Sequence, residues 1–90
     1  MMERNVCPVD VISVCSADGE IRPLRLRFAD SENQLLRINI EEAVKIKEIP
    51  YSGVEAHIFL CRGRLADRVM QFELKYTIRS HTWCLLRRLS

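Results

Sequence analysis

Met70, Phe72, Leu74 and Tyr76 alternate with Gln71, Glu73 and Lys75. A period of two belongs to a chain that sends successive side chains to opposite faces, so this stretch is a strand with one apolar and one polar side. Leu36, Ile38 and Ile40 alternate with Arg37 and Asn39 in the same way, and Val44 and Ile46 alternate with Lys45 and Lys47. Ala56-His57-Ile58-Phe59-Leu60-Cys61 is apolar at nearly every position, which suits a strand covered on both faces.

The turns decide which strands are neighbours. Asp18-Gly19 separates two β-rich stretches, and this dipeptide readily occupies the positive-φ positions of a primed hairpin turn. Asp30-Ser31-Glu32-Asn33, Pro50-Tyr51-Ser52-Gly53 and Arg79-Ser80-His81-Thr82 are further turn signals. Arg62-Gly63-Arg64-Leu65-Ala66-Asp67-Arg68 has the composition of a longer charged connection. Strands are therefore expected at 8–16, 21–28, 34–40, 43–49, 55–61, 69–77 and 82–88. Pro8 and Pro23 fit strand starts or an edge, since proline cannot donate to a ladder. A short helical turn over 41–46 competes with the strand there, because Glu41-Glu42-Ala43 are good helix formers and Leu36, Ile40, Ala43 and Lys47 approximate a helical stripe.

Ninety residues hold one core, so residues 1–90 are expected to form a single domain. Six or seven short strands with tight loops favour an all-β, closed or nearly closed antiparallel barrel of the SH3-like kind, because closure removes edges that would otherwise aggregate. Such a barrel has little interior to give to a catalytic pocket. The N-terminal residues lack the apolar core of a signal peptide, and no run approaches the about 18 apolar residues of a membrane span. Cys7, Cys15, Cys61 and Cys84 form no C-x-x-C pair, so reduced thiols, a cytoplasmic setting and no metal or other cofactor are expected.

Catalytic constellations are weak. A nucleophile needs an activating base and a group that orients the base. His57 with Cys61, and His81 with Cys84, are the available pairs, and neither carries an enclosing motif. Zinc on His57, Cys61, His81 and Cys84 would require ligands far apart in sequence. No glycine-rich phosphate loop is present. No catalytic residue is expected, and the chain is taken as a non-enzyme.

Arginine is the feature above background. Eleven of the fourteen basic residues are Arg, whose planar fork suits carboxylate and phosphate. The formal net charge of +2 conceals six basic and eight acidic side chains in residues 1–45 against eight basic and four acidic in 46–90. Arg25 and Arg27 share one strand face, while Arg62, Arg64 and Arg68 crowd one connection. With Tyr76 and Trp83 as stacking surfaces for unpaired bases, these form a candidate partner- or nucleic-acid-binding set. The competing reading has the arginines solubilising the barrel and Trp83 plugging its core. A further alternative is a structural protein that self-associates through apolar edges such as Ala56–Cys61 into a homo-oligomer.

Pro8-Val9-Asp10-Val11-Ile12, Asp18-Gly19-Glu20-Ile21-Arg22-Pro23-Leu24-Arg25-Leu26-Arg27-Phe28, Tyr51-Ser52-Gly53, Phe72-Glu73-Leu74-Lys75-Tyr76 and Thr82-Trp83-Cys84-Leu85-Leu86 resemble a family of small bacterial single-domain β proteins. The resemblance spans nearly the whole chain. It implies a compact all-β domain and brings no active-site residues with it. Through Ile21–Phe28 the chain is more weakly similar to small β domains that accompany lesion-bypass DNA polymerases in some bacteria, which favours a nucleic-acid partner. Those domains are richer in tryptophan than this chain, which has only Trp83.

Overall fold

Six antiparallel strands follow one another in a meander that closes on itself in the computed structural model, which describes residues 7–52 and 54–89. They are β1 (Cys7–Cys15), β2 (Ile21–Ala29), β3 (Leu35–Ile49), β4 (Ala56–Leu65), β5 (Arg68–Thr77) and β6 (Thr82–Arg88). Each strand pairs with the next, and β1 returns to β6 through Cys7–Leu85, Pro8–Cys84 and Val9–Trp83. The closed all-β barrel is thus the expected architecture. Gly53 of the turn expected at Pro50–Gly53, and the first six residues, on which the absence of a signal peptide was read, lie outside the described residues.

One strand replaces the two expected at 34–40 and 43–49, and the helical turn at 41–46 is strand throughout. The apolar period breaks there because Glu41 and Ile46 are extra residues. Ile40 and Glu42 pair with the consecutive Gly63 and Arg62, and Lys45 and Lys47 with the consecutive Phe59 and Ile58. Each β-bulge inserts one residue and shifts the inward phase by one, so Ile38 and Ile40 point in before the first bulge and Ala43 after it. These kinks let β3 bend, giving its first part to β2 and the remainder to β4.

The connection expected at Arg62–Arg68 is also mostly strand. β4 runs on to Leu65, and Leu65 pairs with Arg68 around a two-residue turn of Ala66 and Asp67. Ala66 sits at φ +56°. Gly63, which resembles loop punctuation in sequence, is a buried inward position of β4. A Cβ built there would lie 2.6 Å from Ile38 Cγ2 and 2.9 Å from Phe72 Cε1, so only glycine lets these core side chains close over the strand.

At Asp18-Gly19 the hairpin is present, with a different turn. Gly19 at φ +91° donates its N–H to the Ser16 carbonyl at 2.9 Å, and Ser16 donates to the Glu20 carbonyl at 2.8 Å. This is the three-residue loop in which the last position is left-handed, a requirement glycine meets freely. The Asp30–Gln34 turn repeats the arrangement, with Asn33 at φ +64° and the Asp30 carboxylate accepting from the Glu32 and Gln34 amides.

The core is the set of inward alternating positions: Leu26, Ile38, Phe59, Cys61, Met70, Phe72, Leu74, Tyr76 and Trp83. Burying each large side chain contributes about 1.5–3 kcal/mol. Among the described residues no helix is long and apolar enough to cross a membrane.

Candidate partner-binding face

Outward positions of β2, β3 and β4 hold most of the candidate arginines. The cross-strand register sets them in rows. Ile12, Arg25, Asn39, Arg64 and Val69 lie side by side from β1 to β5, and Asp10, Arg27 and Arg37 form the adjoining row. Neighbouring strands are roughly 4.8 Å apart, so Arg25 and Arg64 start about 10 Å from each other. Arg25, Arg27, Arg62 and Arg64 therefore share one outer sheet. Arg68 does not join them, since it begins β5 at the Ala66-Asp67 turn opposite Leu65.

The sheet divides electrostatically into two parts. On the β3–β4 side, Arg64 Nε donates to Glu41 Oε2 at 2.9 Å, while Arg62 reaches Glu42 at 3.0 Å and Glu41 at 3.7 Å. The hydrogen bond from Arg64 holds the Glu41 carboxyl below the usual glutamate range against the opposing effect of burial, assisted by the charges of Arg64 and Arg62. Two carboxylates thus answer two guanidiniums. The bulge at Glu41 makes this possible by placing Glu41 and Glu42 in reach of the same β4 arginines, whereas adjacent residues of a regular strand would diverge.

On the β2–β3 side the balance differs. Arg27 Nε donates to Asp10 Oδ2 at 3.1 Å, with the Arg27 side chain 52% exposed. Arg25 Nε donates to the neutral Asn39 Oδ1 at 3.0 Å. Arg37 stands directly across the ladder from Arg27 and has no carboxylate partner among the described residues. Like charges directly opposite one another destabilise a sheet. Three guanidiniums with one carboxylate between them form an open cationic face, and beside it lies a depression of about 330 Å³ lined by Asp10, Ile12, Arg25 and Arg27. Arg37 was not in the candidate set. Its outward phase is visible in the Leu36-Arg37-Ile38 alternation, but its position opposite Arg27 depends on register between strands.

Tyr76 and Trp83 are inward residues, 8% and 7% exposed. Their ring centroids are 4.7 Å apart, and Phe59 lies 5.7 Å from Trp83. The stacking role proposed for them is corrected accordingly: faces already covered by neighbouring rings leave no platform for a base, and Trp83 plugs the core.

The cysteine–histidine pairs do not assemble. His57 and Cys61 are four residues apart on one strand, about 13 Å at strand rise. Burial pushes the Cys61 thiol up to about 12, opposite to the depressed value of an activated nucleophile. His81 Nδ1 shares a 2.9 Å hydrogen bond with the Tyr76 hydroxyl. Among the described residues no three His, Cys, Asp or Glu side chains gather as a metal site. All four cysteines are free thiols.

Comparison with family models, with curated proteins and with solved structures finds no match to this chain. The fold defines the class, a six-stranded antiparallel meander barrel with a group of exposed arginines on its outer face.

Proposed function

We propose that the chain is a non-catalytic interaction module, a small SH3-like barrel that holds an anionic partner, protein or nucleic acid, on the outer face of β2 and β3. The observation that carries this reading is the group of Arg25, Arg27 and Arg37. An excess of positive charge set directly across a ladder costs stability when free and is relieved when an anion binds. Arg62 and Arg64, already answered by Glu41 and Glu42, supply the rim. The high pKa of Cys61 and the bonded His81 favour a non-catalytic role. Four free thiols suit a reducing, cytoplasmic setting.

Titration of a short fluorescent oligonucleotide against the barrel at rising salt tests the nucleic-acid branch. Three neutralised phosphates give a log–log salt slope of roughly −2 to −3. Replacing Arg25, Arg27 and Arg37 together by alanine should abolish most of that slope, whereas Arg68→Ala should leave it unchanged. Undetectable binding at low salt removes nucleic acid and leaves an acidic protein surface as the partner. Binding that ignores the triple substitution refutes the face altogether.

A further inference from the structure

β4 was expected to offer an apolar edge at Ala56–Cys61 for pairing between subunits. It does not, because β3 and β5 pair with it on both sides over that whole stretch. The free edges lie elsewhere. β1 is bound to β6 only from Cys7 to Val9, so Asp10–Cys15 has β2 on one side and no strand on the other among the described residues. β3 beyond Asn39 is similarly free on its β2 side.

These edges differ in how they are guarded. The free part of β3 carries Glu41, Glu42, Lys45, Lys47 and Glu48 and two bulges, devices that discourage a second strand from adding. The corresponding edge of β2 contains Pro23, which has no N–H to offer. Before Phe72, β5 pairs with no strand on its β6 side among the described residues, and that stretch begins with Arg68. Ile12-Ser13-Val14-Cys15 has neither charge nor proline, and the extra residue of its ladder, Leu24, lies on β2, leaving β1 regular. Ile12 is 58% exposed, and Val14 and Leu24 are 39% and 40% exposed. Alongside this edge runs a groove of about 630 Å³ between Val11 and Ser13 on one wall and Tyr76, His81 and Trp83 on the other.

We infer that this edge is closed by the same edge of a second copy, giving a twofold dimer with β1 antiparallel to β1. A twofold axis at Ser13 places Ile12 of one copy opposite Val14 of the other, Val11 opposite Cys15, and Asp10 opposite Ser16. No like charges meet anywhere along the pair, and the exposed aliphatic side chains cover each other. Val11 and Ser13, which line the groove in each copy, face the groove side of the other. Self-complementarity selects a second copy as the occupant. The interface uses the β1 edge and none of the guanidiniums of Arg25, Arg27 or Arg37, although Ile12 and Asp10 also border the depression beside them.

Light scattering and sedimentation at micromolar concentration, with amide hydrogen exchange, test the dimer. The expected mass is twice the 10.5 kDa chain, with Asp10–Cys15 amides protected. Ile12→Lys and, separately, Val14→Lys should return the mass to one chain and release those amides while circular dichroism is unchanged. Two variants are needed in case either fails to fold. Val44→Lys, at an exposed site on β3, should leave the dimer intact. A monomeric wild-type chain overturns the proposal and leaves the edge to a strand from another protein. A dimer that survives both lysine variants also overturns it.

Discussion

Gly63→Ala is a demanding test of the packing, because the substitution adds one methyl group and changes nothing else. The new Cβ would stand 2.6 Å from Ile38 Cγ2, 2.9 Å from Phe72 Cε1 and 3.0 Å from the Asn39 carbonyl oxygen, whereas ordinary contacts begin at 3.4 Å. Ile38 must therefore retreat by about 0.8 Å, with β-branching that restricts its rotamer and only 1% exposure. Phe72 is equally buried, and the carbonyl belongs to the backbone of β3. Overpacking of this kind costs about 1–3 kcal/mol. Replacing glycine recovers about 0.4–1 kcal/mol by restricting the unfolded chain. With three neighbours hemming the site, the upper half of the range applies, and the net loss is about 2 kcal/mol. For a domain of this size that lowers Tm by roughly 8–16 °C. Thermal and urea unfolding followed by circular dichroism measure it. In an Ile38→Ala background the same change should cost about 1 kcal/mol less, because one of the obstructing groups is gone. An unchanged or higher Tm for Gly63→Ala, or full additivity with Ile38→Ala, would refute the close approach of β3, β4 and β5 at this point.

Ala66→Gly should act in the opposite direction. A left-handed residue with a Cβ costs about 1–2 kcal/mol, and glycine's extra unfolded freedom takes back part of the relief, so a gain of up to about 1 kcal/mol in urea unfolding is expected. Thiol alkylation of the folded protein at mildly alkaline pH should label exposed Cys15 readily and Cys61 only on unfolding. The shift of Cys61 from 9.0 to about 12 leaves about a thousandfold less thiolate, and burial blocks the reagent as well. Equal labelling of the two in the native state would contradict the inward placement of Cys61.

The barrel was legible because most of its strands keep phase. Met70 to Tyr76 is one uninterrupted alternation, and the same parity that puts Phe72 and Leu74 inside puts Tyr76 inside with them. β3 was harder. A bulge removes the period locally, and a two-residue gap between apolar positions looks like a turn or a helical step when no partner strand is visible. Gly63 misleads for a related reason, since its role is set by Ile38 and Phe72, distant in sequence. The site follows the same division. Arg25 and Arg27 share a face by spacing alone, so they could be named. The pairing of Arg62 and Arg64 with Glu41 and Glu42, and the opposition of Arg27 and Arg37, arise from ladder register, which no local pattern contains.

Five of the barrel's ladders join neighbours in sequence through turns, and one does not. Cys7–Val9 and Trp83–Leu85 come from opposite ends of the chain, so their pairing closes a loop of nearly the whole domain for the return of one short ladder. Folding can proceed by local zippering through β2 to β6 at small entropic cost, and the closing of the seam is the one step of high contact order. The same imbalance operates in the native state. Among the described residues the seam is the stretch with least to lose by opening, and its release would turn a closed barrel into a curled open sheet that keeps the arginine rows, which run from β1 across β2, β3 and β4, in one piece.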